Sequence, residues 1–324
     1  LEVKKIEISD NKDWNEILNA DYNMFYDNRF ISYNDFFGKN IKWHHLVFKG
    51  SEKNKVLAIL NGCEQVKDGK KLYVSCNGVS FGGFMWREKL NVVDYIEAIS
   101  SFKDYLTRNG FDGCIIRNQP ALYQKNPNEE YDYAMLNSGF SISNNSITNI
   151  ISLKEFEFEK LTNPKKRAIQ KSEKNIEIKM IEDNINSDSL KDYYDVLYKN
   201  RQTKNVKPTH TLDELVYLKN KLPDKIILFS ALINGETAGV CILFLVKKDV
   251  VLNFYLATDE IYKKERVADF ILYKSIEWAK KSNFRLYDIG TSNIGDNFLE
   301  GLFEFKKKFM ANGFLRKTFE FNIT

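Results

Sequence analysis

The chain has little of what would place it in several common classes. Its four cysteines, Cys63, Cys76, Cys114 and Cys241, stand far apart, show no C-x-x-C spacing and fall inside apolar runs. They read as reduced core thiols of a cytoplasmic protein rather than as a catalytic nucleophile or a metal site. The longest nearly pure apolar runs are about nine residues, half of the roughly 18 needed to span a bilayer, so no transmembrane segment is expected. The visible start, L-E-V-K-K-I, has no signal-peptide character. Neither sign of charge is in large excess: 48 basic against 44 acidic side chains leave +4. That permits a polyanionic ligand without demanding one. The positive charge is dispersed and no DNA-reading motif occurs, so DNA is not expected as a partner. Histidine is scarce, with three in the chain.

What is present is enough to bury a substantial core: 324 residues, 43% apolar and 14% aromatic. The stretch from Val250 to Asn293 organises the rest. An apolar run to Ala257, a charged bend at Lys263 to Arg266, a helical pattern over Val267 to Lys281 and a second run over Leu286 to Ile289 read as strand, helix, strand. Such a crossover makes its two strands parallel. The first helical turn then offers N–H groups and the positive dipole end to an anion. Ahead of it, Lys225–Ile233, Thr237–Val246 and Val250–Ala257 form a meander with an Asn234-Gly235 turn. The first half has the same order: strands over His45–Lys49, Val56–Gly62 and Lys71–Cys76, a glycine-rich loop over Asn77–Gly83, a helix from Val92 to about Arg108, and a strand over Gly113–Arg117. Val93, Ile96, Ile99, Phe102 and Leu106 make that helix's expected apolar face. A further helix is expected over Tyr131–Leu136. The fold class is therefore α/β, an α+β mixed sheet, with two tandem domains at 1–150 and 151–324. Each is an antiparallel meander plus a parallel β-α-β crossover, and the two are expected to face each other across a cleft.

This strand order resembles the GNAT acyltransferase fold. The double copy, L-Y-D-I-G-T-S-N (Leu286 to Asn293) and G-L-F-E-F-K-K-K-F (Gly301 to Phe309) resemble its Fem-type branch, which serves peptidoglycan bridges and surface polysaccharides. S-F-G-G (Ser80 to Gly83), R-N-Q-P-A-L-Y (Arg117 to Tyr123) and K-P-T-H-T-L-D-E-L (Lys207 to Leu215) add to the resemblance. It implies an N-acyltransferase using acyl-coenzyme A, acyl-carrier protein or aminoacyl-tRNA as donor substrate, with no tightly bound cofactor and no metal. The acceptor it implies is an amine of a cell-envelope glycan, nucleotide-sugar or peptidoglycan precursor. Two positions depart from the pattern. Arg266 stands where the pyrophosphate loop has glycine, and Met310 stands where F-K-x-x-F is usually followed by glycine. Both features support the alternative of a non-catalytic binding protein with a degraded donor site.

Direct transfer to an amine needs a base, a held carbonyl and positive charge where the oxyanion develops. His210, in a loop before a helix begun by Thr211, suits a general base at neutral pH. The adjacent His44 and His45 are weaker candidates. Asp288 lies inside an apolar strand and must be paired there; it is a candidate to orient the acceptor amine or accept its proton. The resemblance implies that Lys306 stabilises charge on the donor or intermediate. Donor-binding candidates are Lys263, Lys264, Arg266, Ser292 and Asn293, and acceptor-binding candidates are Ser80, Phe81, Gly82, Arg117, Tyr123 and Lys207. The basic stretch Asn163 to Lys174, read as an N-capped helix with Pro164 at its first position, is a further candidate anion surface.

Overall fold

The structure, a computed structural model, describes residues 1–50, 55–75, 77–88, 90–181 and 184–323. Cys76, expected as a core thiol at a strand end, lies outside the described residues. The strands are β1 (Glu2–Ile6), β2 (His45–Lys49), β3 (Val56–Leu60), β4 (Gly62–Lys67), β5 (Lys70–Ser75), β6 (Phe84–Trp86), β7 (Gly113–Arg117), β8 (Ser141–Ser152), β9 (Glu177–Met180), β10 (Ile226–Ile233), β11 (Glu236–Lys247), β12 (Val250–Thr258), β13 (Leu286–Thr291), β14 (Asn293–Ile294), β15 (Asn297–Phe298) and β16 (Asn312–Asn322). The helices are α1 (Lys12–Ala20), α2 (Asn28–Ile31), α3 (Tyr33–Phe36), α4 (Val92–Arg108), α5 (Glu130–Asn137), α6 (Asn163–Ser172), α7 (Ser187–Gln202), α8 (Leu212–Lys221), α9 (Val267–Lys281) and α10 (Glu300–Lys307). Among the described residues no helix is long and apolar enough to cross a membrane. The chain forms two compact units, Leu1–Ile147 with Phe314–Thr324, and Thr148–Gly313.

In the first unit β1, β2, β3 and β6 form an antiparallel sheet. A second sheet runs β4, β5, β7, β16, with β5 and β7 parallel and the other pairs antiparallel. The run expected as a single strand over Val56–Gly62 is two strands in different sheets, broken at the buried Asn61, whose amide donates to the Phe25 carbonyl. Gly62 is glycine because the Tyr73 ring lies 2.2 Å from where a Cβ would be. Helix α4 starts at a capping box made by Asn91 and Asp94. It buries Tyr95, Ala98, Ile99, Phe102, Tyr105 and Leu106, whereas Val93, expected on that face, points outward with 61% of its surface exposed.

Both histidines of the first unit are buried: His44 places Nδ1 2.7 Å from the Tyr105 hydroxyl, and His45 stacks on Trp43. Desolvation lowers each imidazole to about 4. The unfolded chain therefore takes up protons near pH 6.5 that the folded chain refuses until about pH 4. Stability is intact above that window and falls as pH drops through it. For His45, 3% exposed, the loss amounts to about 3 kcal/mol. Urea unfolding at pH 7 and pH 4.5 is expected to show this drop, and His45→Gln to reduce it; equal stabilities at the two pH values would refute the burial argument.

The second unit holds residues 148–152 of β8, then β13, β12, β11, β10 and β9 in spatial order, with β12 and β13 parallel and every other neighbouring pair antiparallel. Helix α9 connects the parallel pair and packs its apolar stripe on one face of this sheet, where Ile271, Ile276 and Ala279 share a core with Cys241, Leu243, Val251 and Tyr287. Helix α7 packs on β11 and β12, and its Tyr193 hydroxyl donates to the Cys241 carbonyl. Burial pushes the Cys241 thiol up to about 12, which leaves it inert at neutral pH.

Candidate functional site

In each unit the parallel strands pair over three residues: Leu72, Tyr73 and Val74 with Gly113, Cys114 and Ile115, and Val250, Val251 and Leu252 with Leu286, Tyr287 and Asp288. Beyond that point the units differ. In the first, Gly82 moves in beside β7: its N–H donates to the Arg117 carbonyl at 2.8 Å, and it bridges Asn118 in the parallel sense. The segment that carries it is anchored by Phe81, whose buried ring lies 5.0 Å from Phe25 and 5.4 Å from Tyr123. The Arg316 guanidinium covers the same ring at 5.8 Å. Ser80, Phe81, Gly82, Arg117 and Tyr123 are thus gathered into one neighbourhood, and the gap beyond β5 and β7 is closed by backbone.

In the second unit both strands bulge where they separate. Tyr255 pairs with Ile242 and Asn253 with Leu243, which leaves Phe254 unopposed on β12. On β13, Ile289 and Gly290 oppose the single Asn149 of β8. Bulges of this kind bend a strand and free backbone groups from the ladder. Gly290 suits its place because it takes φ +85. Its N–H donates to Asp288 Oδ1 at 2.7 Å, and its carbonyl accepts from Lys306 Nζ at 2.8 Å. Asp288 Oδ1 also accepts from Thr148 Oγ1 at 2.5 Å. Lys306, buried on α10, donates as well to the Thr291 carbonyl at 2.7 Å. Next in the chain, Ser292 is buried and donates from Oγ to Asn149 Oδ1 at 2.7 Å. Asp288, Lys306 and Ser292 therefore meet in one knot around the β13 bulge, and the knot fixes the direction in which β13 leaves β12.

Leu252 is opposite both Phe244 and Asp288, so these three share a sheet face, and the register puts Tyr255 and Ile242 on that face too. His210 belongs here. It is buried, with its backbone N–H 3.2 Å and its Nδ1 3.1 Å from the Tyr255 hydroxyl, and its ring against Phe254 and Phe244. Its carbonyl accepts from the Tyr194 hydroxyl at 3.0 Å. On the α9 face the Asn253 amide donates to the Tyr287 hydroxyl at 3.1 Å, and Ser275 Oγ lies 2.7 Å from that hydroxyl. Asp288 stands out in the sequence, but Thr148, Asn149, Phe254 and Tyr255 do not: each depends on a strand partner distant in the chain.

The remaining candidates lie at the edges of this unit. Lys263 and Lys264 are exposed on the 3₁₀ turn Glu260–Glu265, and Lys207 is exposed in the segment after α7. Asn293 pairs with Phe298 in the β14–β15 hairpin. Arg266 has φ +58 and ψ +36, the backbone region that favours glycine, and directly precedes α9. Its Nε lies 2.7 Å from Asp269 Oδ2, and the same carboxylate holds Lys165 Nζ. Of the cations on the basic helix, Lys165 is buried, its ammonium 4.6 Å from the Phe305 ring centroid and 4.3 Å from that of Phe309. Burial lowers its pKa against the pull of Asp269. Among the described residues there is no grouping of three His, Cys, Asp or Glu side chains fit for a metal.

No protein-family profile matches the chain, and no curated protein matches it in sequence. Solved structures do. The crystal structure of FemX superposes with a TM-score of 0.72 at 11% identity, covering 100% of this chain and 98% of that one. The fold is of the GNAT type. L-PGS from Bacillus licheniformis follows with a TM-score of 0.62 at 13% identity, over 99% and 94% of the two chains. A tandem GNAT protein from the clavulanic acid biosynthesis pathway gives 0.58 at 8% identity, over 99% and 98%. The likeness to GNAT-type structures thus runs the whole length of the chain, as a mixed α/β architecture.

Proposed function

We propose that the chain is an N-acyltransferase that moves an acyl or aminoacyl group to an amine of a cell-envelope glycan or peptidoglycan precursor by direct attack in a ternary complex. The observation that carries this reading is the separation of β12 and β13 beyond Leu252 and Asp288, with a bulge in each strand close by and a buried lysine at the exit. A carrier's arm laid in that opening presents its carbonyl near the β12 backbone beyond Leu252, which no longer pairs with β13, and near the positive charge of Lys306. The acceptor nitrogen attacks that carbonyl, its proton passes to a base, and the carrier leaves as thiol or hydroxyl once protonated. His210 and Asp288 are the candidate proton acceptors. The hydrogen bonds Asp288 Oδ1 already receives favour an orienting part for the carboxylate, and the Tyr255 hydroxyl holds the His210 ring at one nitrogen.

The second reading, a binding protein without turnover, is favoured by one feature: Asp269, with Lys165 and Arg266, fills the start of α9, where a pyrophosphate would otherwise sit. Incubation with acetyl-coenzyme A, acyl-carrier protein and charged tRNA, each with amine-bearing glycan precursors, separates the two. A mass shift on the acceptor is the expected result. No product from any donor, together with no heat on mixing in calorimetry with intact protein, would leave the binder.

A further inference from the structure

The start of a crossover helix attracts anions because its N–H groups and dipole point outward. In α9 that attraction is met from within. Asp269, 3% exposed and third in the helix, pairs with Lys165 and Arg266. One carboxylate thus occupies the helix end and holds both cations, and a phosphate arriving there meets a buried negative charge.

The opposite situation holds at the far end of α7. Arg201, in its last turn, is half-buried with its guanidinium 5.5 Å from the Tyr255 ring centroid. Tyr255 is the first residue after the β12 bulge. Among the described residues no carboxylate pairs with Arg201, and burial pulls its pKa down with Tyr255 alone opposing. Lys204 follows one turn on. Its ammonium donates to Asn200 Oδ1 at 3.3 Å, and the Asn200 amide donates to the Thr258 carbonyl at 3.0 Å, at the end of β12. Lys204 is exposed, and partial desolvation and the neighbouring Arg201 lower its pKa, with Glu260 opposing. The C-terminal dipole of α7 returns about 0.3–1 kcal/mol to a nearby cation. Desolvation weighs on the half-buried Arg201, and the exposed Lys204 adds a second cation near it, so the pair remains short of negative charge.

We propose that Arg201 and Lys204 form the seat for a phosphate ester on the donor's carrier, in place of the filled start of α9. A guanidinium backed by an aromatic ring presents two parallel N–H groups that match a phosphate's oxygens, and the ammonium supplies a second charge. The chemistry is shared by coenzyme A and by the 3′ end of an RNA. Naming the ligand as the donor's carrier rests on the proposed function; the anion seat itself does not.

The test compares wild type, Arg201→Gln and Lys204→Gln by calorimetry at low salt with pyrophosphate, coenzyme A and a short CCA-ended RNA, alongside thermal unfolding without ligand. The seat predicts that Arg201→Gln weakens anion binding at least tenfold while leaving the unliganded Tm equal or higher, since an unpaired cation has gone. Whichever of coenzyme A and RNA loses more affinity in that variant is the source of the phosphate. Unchanged affinity, or a lower Tm without any loss of binding, overturns the seat and makes Arg201 a cap of α7. Arg201-dependent binding without transfer to any acceptor supports the seat and removes the transferase reading. Transfer that survives Arg201→Gln at unchanged donor KM overturns the donor's carrier as the ligand of the seat and keeps the transferase.

Discussion

Deleting residues 314–324 is expected to unfold the first unit, although its other 147 residues remain. Five residues of β16, Thr318 to Asn322, pair with β7, and Phe319 lies fully buried among Phe102, Cys114 and Ile116. Losing a buried phenylalanine costs about 3–5 kcal/mol by itself. The deletion also strips β7 of one neighbour, and whole domains are stable by about 5–15 kcal/mol. Limited trypsin digestion of the truncated chain is expected to degrade the first unit while a fragment of the second persists, and Phe319→Ala to give a milder fall in Tm. A truncated protein as resistant as the full chain would show that β16 is dispensable.

Lys306→Met is expected to lower kcat by about 10²–10³ with little change in the donor's KM, the usual cost of removing a preorganised group that meets developing negative charge. The measurement is steady-state transfer with whichever donor yields product, for wild type, Lys306→Met and Lys306→Arg. A role limited to tying the β13 exit gives a different pattern. Both substitutions would then lower Tm, because Lys306 bridges the Gly290 and Thr291 carbonyls, and kcat would follow the fraction folded. Partial recovery of kcat in Lys306→Arg at wild-type Tm distinguishes charge from architecture. Full activity in Lys306→Met removes the lysine from the chemistry.

The elements that were legible in the sequence are those that solve their own problem locally. The apolar runs of β10, β11 and β12 can only be buried strands, and Asn91 with Asp94 or Thr211 with Glu214 announce a helix start within four residues. Strand β8, S-I-S-N-N-S-I-T-N-I-I-S, was not legible, because serine and asparagine favour turns and the strand exists through partners distant in the chain, β13 and β16. The same holds for β16, whose partner β7 lies about 200 residues earlier. At the site, Asp288 stood out as a charge in an apolar run. Its hydrogen-bond donor Thr148 lies 140 positions away, and no local pattern connects them. The bulge at Phe254 is equally silent, since a one-residue register slip leaves the residue types unchanged. Arg266 was legible as a misfit to a glycine position, and its positive φ shows that the backbone kept the glycine-like turn while the side chain went to Asp269.

Gly82 beside β7 carries a numerical consequence. Under the proposed function, with one opening sewn up by main chain and its counterpart left ajar, a single molecule of activated carrier per polypeptide is the expected ceiling, and a titration runs to an equivalence point of one. Under that reading the first unit need not handle thioesters or esters, and its surface is left for whatever receives the acyl group.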